Sequence, residues 1–92
     1  MSLRVGNLEI GQDRPFTLIA GPCQIESREH AVEMADALST VCRELDIGLI
    51  YKSSYDKANR SSVNAARGVG MEKGLDILAS IRERFDVPVL TD

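Results

Sequence analysis

The sequence predicts an α/β fold built on a parallel sheet, and three observations support this prediction. Apolar runs at residues 16–20 and 49–52 have the composition of buried strands. Each run is followed by a stretch in which apolar residues recur every three or four positions, as on an amphipathic helix. A third run, PVLTD, comes after the second helical stretch. The order β-α-β-α-β implies right-handed crossovers between parallel strands.

The first twenty residues predict a hairpin and the first strand of the sheet. In LRVGNLEIG, apolar residues alternate around Gly6 and Asn7, two residue types that adopt positive φ at low cost. The next apolar run, FTLIA, is nearly continuous. We therefore expect a strand that is buried on both faces.

Each predicted helix has an apolar stripe and recognisable ends. Ser27 is placed to cap the first helix, and Gly48 lies beyond its end. Asp86 is expected to end the second helix. The stripe of the first helix comprises Ala31, Met34, Ala35, Leu38, Val41, Cys42 and Leu45, and that of the second comprises Met71, Gly74, Leu75, Leu78, Ile81 and Phe85. Cys42 is thus expected to be a small buried hydrophobic residue.

Composition narrows the class of protein. The chain has 92 residues, 43% of them hydrophobic and 27% charged, which is typical of one small globular domain. No apolar run approaches the ~18 residues of a membrane span, and no signal pattern is present, so we expect a cytoplasmic protein without a membrane partner. The net charge of −3 argues against nucleic-acid binding. The two cysteines form no C-x-x-C pair and are expected to be reduced.

A basic segment follows the second strand. Residues 52–67 contain four basic side chains and a single acidic one. Lys52 ends a buried strand, so its ammonium group should face the open end of the sheet, the edge at which parallel α/β folds bind ligands. The other members of this set are the cations Lys57, Arg60 and Arg67 and the donors Ser54, Asn59, Ser61 and Ser62. They suit a phosphate or carboxylate, and a solvated polar loop is the alternative.

Cys23 follows the first strand directly and should face the same edge. It could be a structural thiol, a nucleophile, a redox residue or a metal ligand. A nucleophile needs a base, and these residues place no histidine beside it. A metal site needs three or more donors, and only one is evident. Spacing alone favours a structural thiol, but the pattern does not decide between the four.

The motifs AGPCQIES, YKSSYDKANRSS, RGVGMEKG and VPVLTD together resemble the N-terminal third of the 3-deoxy-D-manno-octulosonate 8-phosphate synthases. The resemblance covers essentially the whole chain, and KANRSS is its most specific part. The related 3-deoxy-D-arabino-heptulosonate 7-phosphate synthases share G-P-C-x-x-E-S but typically carry K-P-R-T-S in the loop. The loop therefore favours the octulosonate family.

The resemblance implies a (β/α)8 TIM barrel that condenses phosphoenolpyruvate with arabinose 5-phosphate and water, in the biosynthesis of the lipopolysaccharide sugar KDO. Lys52, Ser54 and Lys57 would hold phosphoenolpyruvate. Asn59, Arg60 and Ser61 would hold the phosphate of arabinose 5-phosphate. No catalytic residue is assigned. The family further implies a homotetramer.

The resemblance also bears on Cys23. One branch of the family has asparagine at this position and works without metal, whereas the other binds a divalent metal through a cysteine. The chain resembles the metal-dependent branch, with zinc, iron, manganese and cobalt as the candidate ions. The other ligands of that branch, a histidine, a glutamate and an aspartate, belong to later strands.

Residues 1–92 are expected to be the N-terminal part of a single barrel domain and not to be active alone. An isolated β-α-β-α-β piece would expose an apolar sheet edge. Two alternatives stay open. One is the heptulosonate synthase, which would accept erythrose 4-phosphate, and the other is a non-catalytic phosphosugar-binding module.

Overall fold

The computed structural model describes residues 2–55 and 69–92, which form two sheets and two helices. The first two strands pair as an antiparallel hairpin, and the other three form a parallel sheet in the order β3-β4-β5. The elements are β1 (Ser2–Val5), β2 (Leu8–Gly11), β3 (Thr17–Ala20), α1 (Arg28–Leu45), β4 (Gly48–Lys52), α2 (Met71–Phe85) and β5 (Val89–Leu90). The predicted order, hairpin and parallel pairing are confirmed.

The parallel sheet is in the register expected of consecutive β-α-β units. Ala20 of β3 lies beside Tyr51 of β4, and Lys52 lies beside Leu90 of β5. Both connections contain a helix, as parallel pairing requires. Three parallel strands are consistent with the beginning of a (β/α)8 barrel but do not close one, so the eight-stranded barrel stays a prediction.

The core lies between the sheet and the two helices. One cluster of buried side chains contains residues of both helices, so α1 and α2 cover the same face of the sheet. Its members are Ile25, Ala31, Ala35, Tyr51, Ile77, Leu78 and Ile81. The fully buried Tyr51 donates a hydrogen bond of 3.2 Å to the carbonyl oxygen of Ala31, which links β4 to α1. Burial raises the pKa of its phenol from the ordinary 10.0 to about 12.

The helix ends agree with the predicted signals. The side chain of Ser27 accepts a hydrogen bond of 3.1 Å from the backbone N–H of His30. Asp46 and Asp86 follow the last turns of α1 and α2 in the left-handed conformation, with φ of 56° and 53°. Gly48 lies past the end of α1 and begins β4. Cys42 is buried as predicted, and burial raises the pKa of its thiol.

The prediction that residues 16–20 are buried on both faces is wrong. Phe16 is 67% exposed and Ile19 is 54% exposed. The reason is that both described helices pack on one face of the sheet. Among the described residues, the opposite face of β3 lacks a comparable cover.

The predicted helix stripes are wrong in part. Val41 and Leu45 of α1 are exposed, and so are Met71 and Leu75 of α2. Ser39 and Ile77 are buried, although neither belongs to a predicted stripe. The helical spacing of the apolar residues was predicted correctly. The surface that each helix buries is narrower than its apolar stripe, however, and is rotated from the centre of that stripe.

The hairpin lies at the amino ends of the parallel strands. Gly6 turns with φ of 57°, and a Cβ there would lie 3.1 Å from Pro88, which precedes β5. Asn7 Nδ2 donates a hydrogen bond of 3.2 Å to the carbonyl oxygen of Asp86. Leu8 packs against Gly48, the first residue of β4. The hairpin therefore covers the end of the sheet opposite to the predicted ligand edge.

Within residues 2–55 and 69–92, no helix has the length and apolar character that crossing a membrane requires.

Candidate functional site at the carboxyl edge of the sheet

Three of the predicted site residues fall in the described part of the chain, and all three lie at the carboxyl ends of the strands. Cys23 follows β3, Lys52 ends β4, and Ser54 comes two residues later. The remaining predicted residues, Lys57, Asn59, Arg60 and Ser61, lie outside the described residues, as do Ser62 and Arg67.

A bulge after β3 brings the backbone of Cys23 to Ser54. Ala20 pairs with Tyr51, but the next pair along the two chains is Gln24 with Ser54. Between these two pairs the chain advances four residues after β3 but only three after β4. The extra residue is a bulge, which is rare between parallel strands. The backbone N–H of Ser54 donates to the carbonyl oxygen of Cys23 over 3.2 Å. Bulges re-aim side chains beside functional sites, and this one carries Cys23.

Gly21 makes the bulge possible. A Cβ at this position would lie 1.9 Å from the carbonyl oxygen of Lys52 and 2.9 Å from its carbonyl carbon. Those atoms belong to the backbone of a strand and cannot swing aside. Glycine is therefore required here by a close approach of two backbones. From the sequence, Gly21 could be read only as the end of an apolar run.

Ser53 joins three strand ends. It is buried, with 1% of its surface exposed. Its hydroxyl donates a hydrogen bond of 2.6 Å to the carbonyl oxygen of Pro22, inside the bulge. Its backbone N–H donates to the carbonyl oxygen of Leu90 on β5 over 3.2 Å. Sequence analysis did not single out Ser53, because a serine in a polar loop has no distinctive signal.

Asp92 engages both Lys52 and Ser54. The hydroxyl of Ser54 donates a hydrogen bond to Asp92 Oδ1, and Lys52 Nζ lies 3.9 Å from Asp92 Oδ2. The hydrogen bond from Ser54 and, to a lesser extent, the charge of Lys52 hold the pKa of Asp92 below its ordinary value. Sequence analysis missed Asp92. The available signal was an acidic residue two positions after the third strand, at the same edge as Lys52.

Cys23 is exposed and free, so its thiol is accessible at this edge. Among the described residues, no group of three or more His, Cys, Asp or Glu side chains could hold a metal ion. A metal bound through the exposed thiol of Cys23 would need its other donors from outside the described residues. The buried Cys42 is not accessible in this way.

The start of the loop packs closely on α2. A Cβ at Gly74 would lie 2.5 Å from Cβ of Tyr55 and 3.4 Å from its Cα. The glycine thus leaves room for Tyr55 to lie against the first turn of the helix. This contact explains the last glycine of the RGVGMEKG motif and fixes where the chain leaves the sheet edge after Ser54.

The fold and this edge define a parallel α/β protein that carries a lysine, hydroxyl groups and a free thiol at the carboxyl ends of its strands. The chain belongs to the DAHP synthetase I family, which it matches over residues 2–92. This membership agrees with the resemblance seen in the motifs.

Individual relatives are similar over nearly all of the chain. A protein of Granulibacter bethesdensis named 2-dehydro-3-deoxyphosphooctonate aldolase is 69% identical over 88 residues, which cover 96% of this chain and 31% of that protein. Proteins of the same name are 54% identical in Rickettsia felis and 53% identical in Bartonella tribocorum, each over 98% of this chain and 33% and 32% of the relative. The chain thus spans about a third of the length of the curated relatives it matches.

Proposed function

We propose that the protein is a 3-deoxy-8-phosphooctulonate synthase. It would condense phosphoenolpyruvate, arabinose 5-phosphate and water to 3-deoxy-D-manno-octulosonate 8-phosphate and phosphate. The relatives' shared name, 2-dehydro-3-deoxyphosphooctonate aldolase, supports this choice. So does the KANRSS run of the loop.

One structural observation carries the proposal. The ammonium group of Lys52 and the hydroxyl of Ser54 both reach a single carboxylate, that of Asp92. The same two groups can hold a carboxylate or phosphate group of phosphoenolpyruvate, because they offer a cation and a neutral donor on one side of an anion. An incoming anion would share Lys52 and Ser54 with Asp92 or displace the Asp92 carboxylate from them.

In the proposed reaction, the chain's own residues bind and orient the substrates. Lys52, Ser54 and Lys57 would hold phosphoenolpyruvate, and Asn59, Arg60 and Ser61 the phosphate of arabinose 5-phosphate. Two phosphorylated substrates in one cavity account for the basic segment in an otherwise acidic chain. A divalent metal with Cys23 as one ligand would supply polarisation of the sugar aldehyde or of a water molecule.

The finer features of the proposal follow the family. They are a closed (β/α)8 barrel, a homotetramer and a cytoplasmic location. The parallel register of β3, β4 and β5 supports the barrel, since it is the repeat from which such a barrel is built.

A second enzyme is a specific competitor, because the matched family is described as DAHP synthetase. A heptulosonate synthase would use erythrose 4-phosphate in place of arabinose 5-phosphate. The deciding experiment measures phosphate release from phosphoenolpyruvate by the full-length protein with each aldose phosphate. Turnover with arabinose 5-phosphate alone is expected. Turnover with erythrose 4-phosphate alone would support the competitor, and binding without turnover would support a non-catalytic phosphosugar-binding module.

A further inference from the structure

Ser53 is a buried serine that lies between Lys52 and Ser54, the two described residues proposed to bind phosphoenolpyruvate. We infer that the Ser53 hydroxyl is a positioning group, which holds the bulge of β3 and thereby sets where Cys23 lies relative to Lys52 and Ser54. The inference rests on the proposed function only where it concerns the metal. The effect on the bulge itself stands apart from it.

The bulge is bonded to β4 by the Ser53 hydroxyl and by the backbone of Ser54. Its extra residue falls between Ala20 and Gln24, where regular pairing with β4 is interrupted. Interruption leaves backbone groups without ladder partners, and buried polar groups need replacement partners. The carbonyl of Pro22 finds one in the Ser53 hydroxyl, at 2.6 Å. This bond is made one residue before Cys23.

Ser53 is itself held firmly. Its backbone N–H donates to Leu90 of β5, and its neighbour Ser54 exchanges backbone hydrogen bonds with the other side of the bulge. Those bonds run from Ser54 N–H to Cys23 over 3.2 Å and from Ile25 N–H to Ser54 over 2.8 Å. With 1% exposure, the hydroxyl has no ready access to water as a substitute partner. The sheet therefore fixes the Ser53 hydroxyl in place, and its hydrogen bond to Pro22 holds the bulge.

Removing the hydroxyl should release the bulge without opening the core. In Ser53→Ala, the Pro22 carbonyl loses its donor, so the segment that carries Cys23 keeps the bond from Ser54 N–H but can reorient more easily on the Pro22 side. Groups that orient a metal ligand typically contribute about 10- to 100-fold to metal affinity. We expect a loss of that size for Co²⁺ bound through Cys23.

The matched control is Ser39→Ala. Ser39 is also a buried serine whose hydroxyl donates to a backbone carbonyl, that of Ala35, but it lies on α1 away from the edge. Both variants lose the same kind of bond. A difference between them in metal binding at similar melting temperature therefore reports position and not general stability.

The experiment uses the full-length protein, stripped of metal and titrated with Co²⁺. The thiolate-to-cobalt absorption band is followed in wild type, Ser53→Ala and Ser39→Ala, with Cys23→Ser as the reference without the thiol. Amide hydrogen exchange of Ser54 and Ile25 is measured in the metal-free proteins. We expect Ser53→Ala to weaken Co²⁺ binding by about 10- to 100-fold and to speed exchange at both amides, and Ser39→Ala to do neither.

A second pair of variants covers the case in which Ser53→Ala does not fold. Ser53→Thr keeps the hydroxyl. Ser53→Val introduces a side chain of nearly the same shape as threonine but without the hydroxyl. Threonine should restore Co²⁺ binding and slow exchange, and valine should not. Equal behaviour of the two, or a Ser53→Ala protein indistinguishable from wild type, would overturn the inference.

The outcome also separates this inference from the proposed metal role. If wild type and Cys23→Ser bind Co²⁺ with the same spectrum, Cys23 is not the ligand, and that part of the proposed function fails. Exchange at Ser54 and Ile25 in the metal-free variants still decides the role of Ser53. Faster exchange supports it, and unchanged exchange overturns it.

Discussion

The hydroxyl of Ser54 donates a hydrogen bond to the carboxylate of Asp92, 38 residues further along the chain. Ser54 follows β4 and Asp92 follows β5, so the bond joins the carboxyl ends of two neighbouring parallel strands. Lys52 Nζ lies 3.9 Å from the other carboxylate oxygen. One internal carboxylate thus engages both described groups that we propose bind phosphoenolpyruvate.

The first prediction concerns the titration of Asp92. Its pKa is lowered, so its contribution to stability is present above the ordinary value of 3.8 and is lost as the pH falls through the lowered pKa of the folded state. Ser54→Ala should raise this pKa more than Lys52→Met does, because the hydrogen bond is the larger cause. NMR titration of the Asp92 carboxyl measures both. A larger effect of Lys52→Met would contradict the assigned order.

The second prediction concerns the close approach at Gly21. Gly21→Ala should destabilise the protein by about 1–3 kcal/mol or more, because the added Cβ meets the backbone of β4. Gly48→Ala is the control, since its added Cβ would first meet the flexible end of the Leu8 side chain. Urea unfolding of both variants gives the comparison. Equal losses would show that the approach of Lys52 does not restrict residue 21.

The third prediction concerns the lysines. Lys52→Met should raise KM for phosphoenolpyruvate or lower kcat by about 10- to 100-fold, since a charge-assisted partner is lost. The melting temperature should barely change, because a half-exposed ion pair contributes little to stability. Lys57→Met should act alike. Lys73→Met, on an exposed position of α2, is the control. A Lys52 variant that unfolds yet binds normally when folded would make the lysine structural.

The fourth prediction concerns Arg60, which lies outside the described residues. Arg60→Ala should weaken the binding of arabinose 5-phosphate by about 2–5 kcal/mol, because the bound phosphate loses a charged partner. The binding of phosphoenolpyruvate should be weakened far less. The KM values for both substrates are measured, with Arg82→Ala on the exposed side of α2 as the control. An equal loss for the two substrates would show that Arg60 is wrongly assigned.

The fifth prediction separates the two cysteines. Cys23→Ser should lose metal and activity with little change in unfolding beyond the metal's own contribution, and Cys23→Asn should retain some activity that no chelator removes. Cys42→Ser should keep metal but cost about 1–3 kcal/mol, because it buries a hydroxyl. Metal analysis and unfolding of each variant test this. Full activity of wild type after strong chelation would leave Cys23 a thiol without a required metal.

The sequence by itself determined the local features of this chain. The order of strands and helices, the hairpin turn at Gly6 and the cap at Ser27 all follow from periodicity, turn chemistry and capping. These features depend on residues a few positions apart. Their energies are therefore decided within the segment that contains them.

The tertiary structure alone decided which groups meet. Val41 and Leu75 are exposed while Ile77 is buried, because the neighbouring elements select part of each apolar stripe. Likewise, the bulge that carries Cys23, the Ser53 bond to Pro22 and the Asp92 bond to Ser54 join residues about 30 to 40 positions apart. Such contacts depend on strand register and on the approach of two backbones. A local pattern of residue types determines neither the strand register nor how closely two backbones approach.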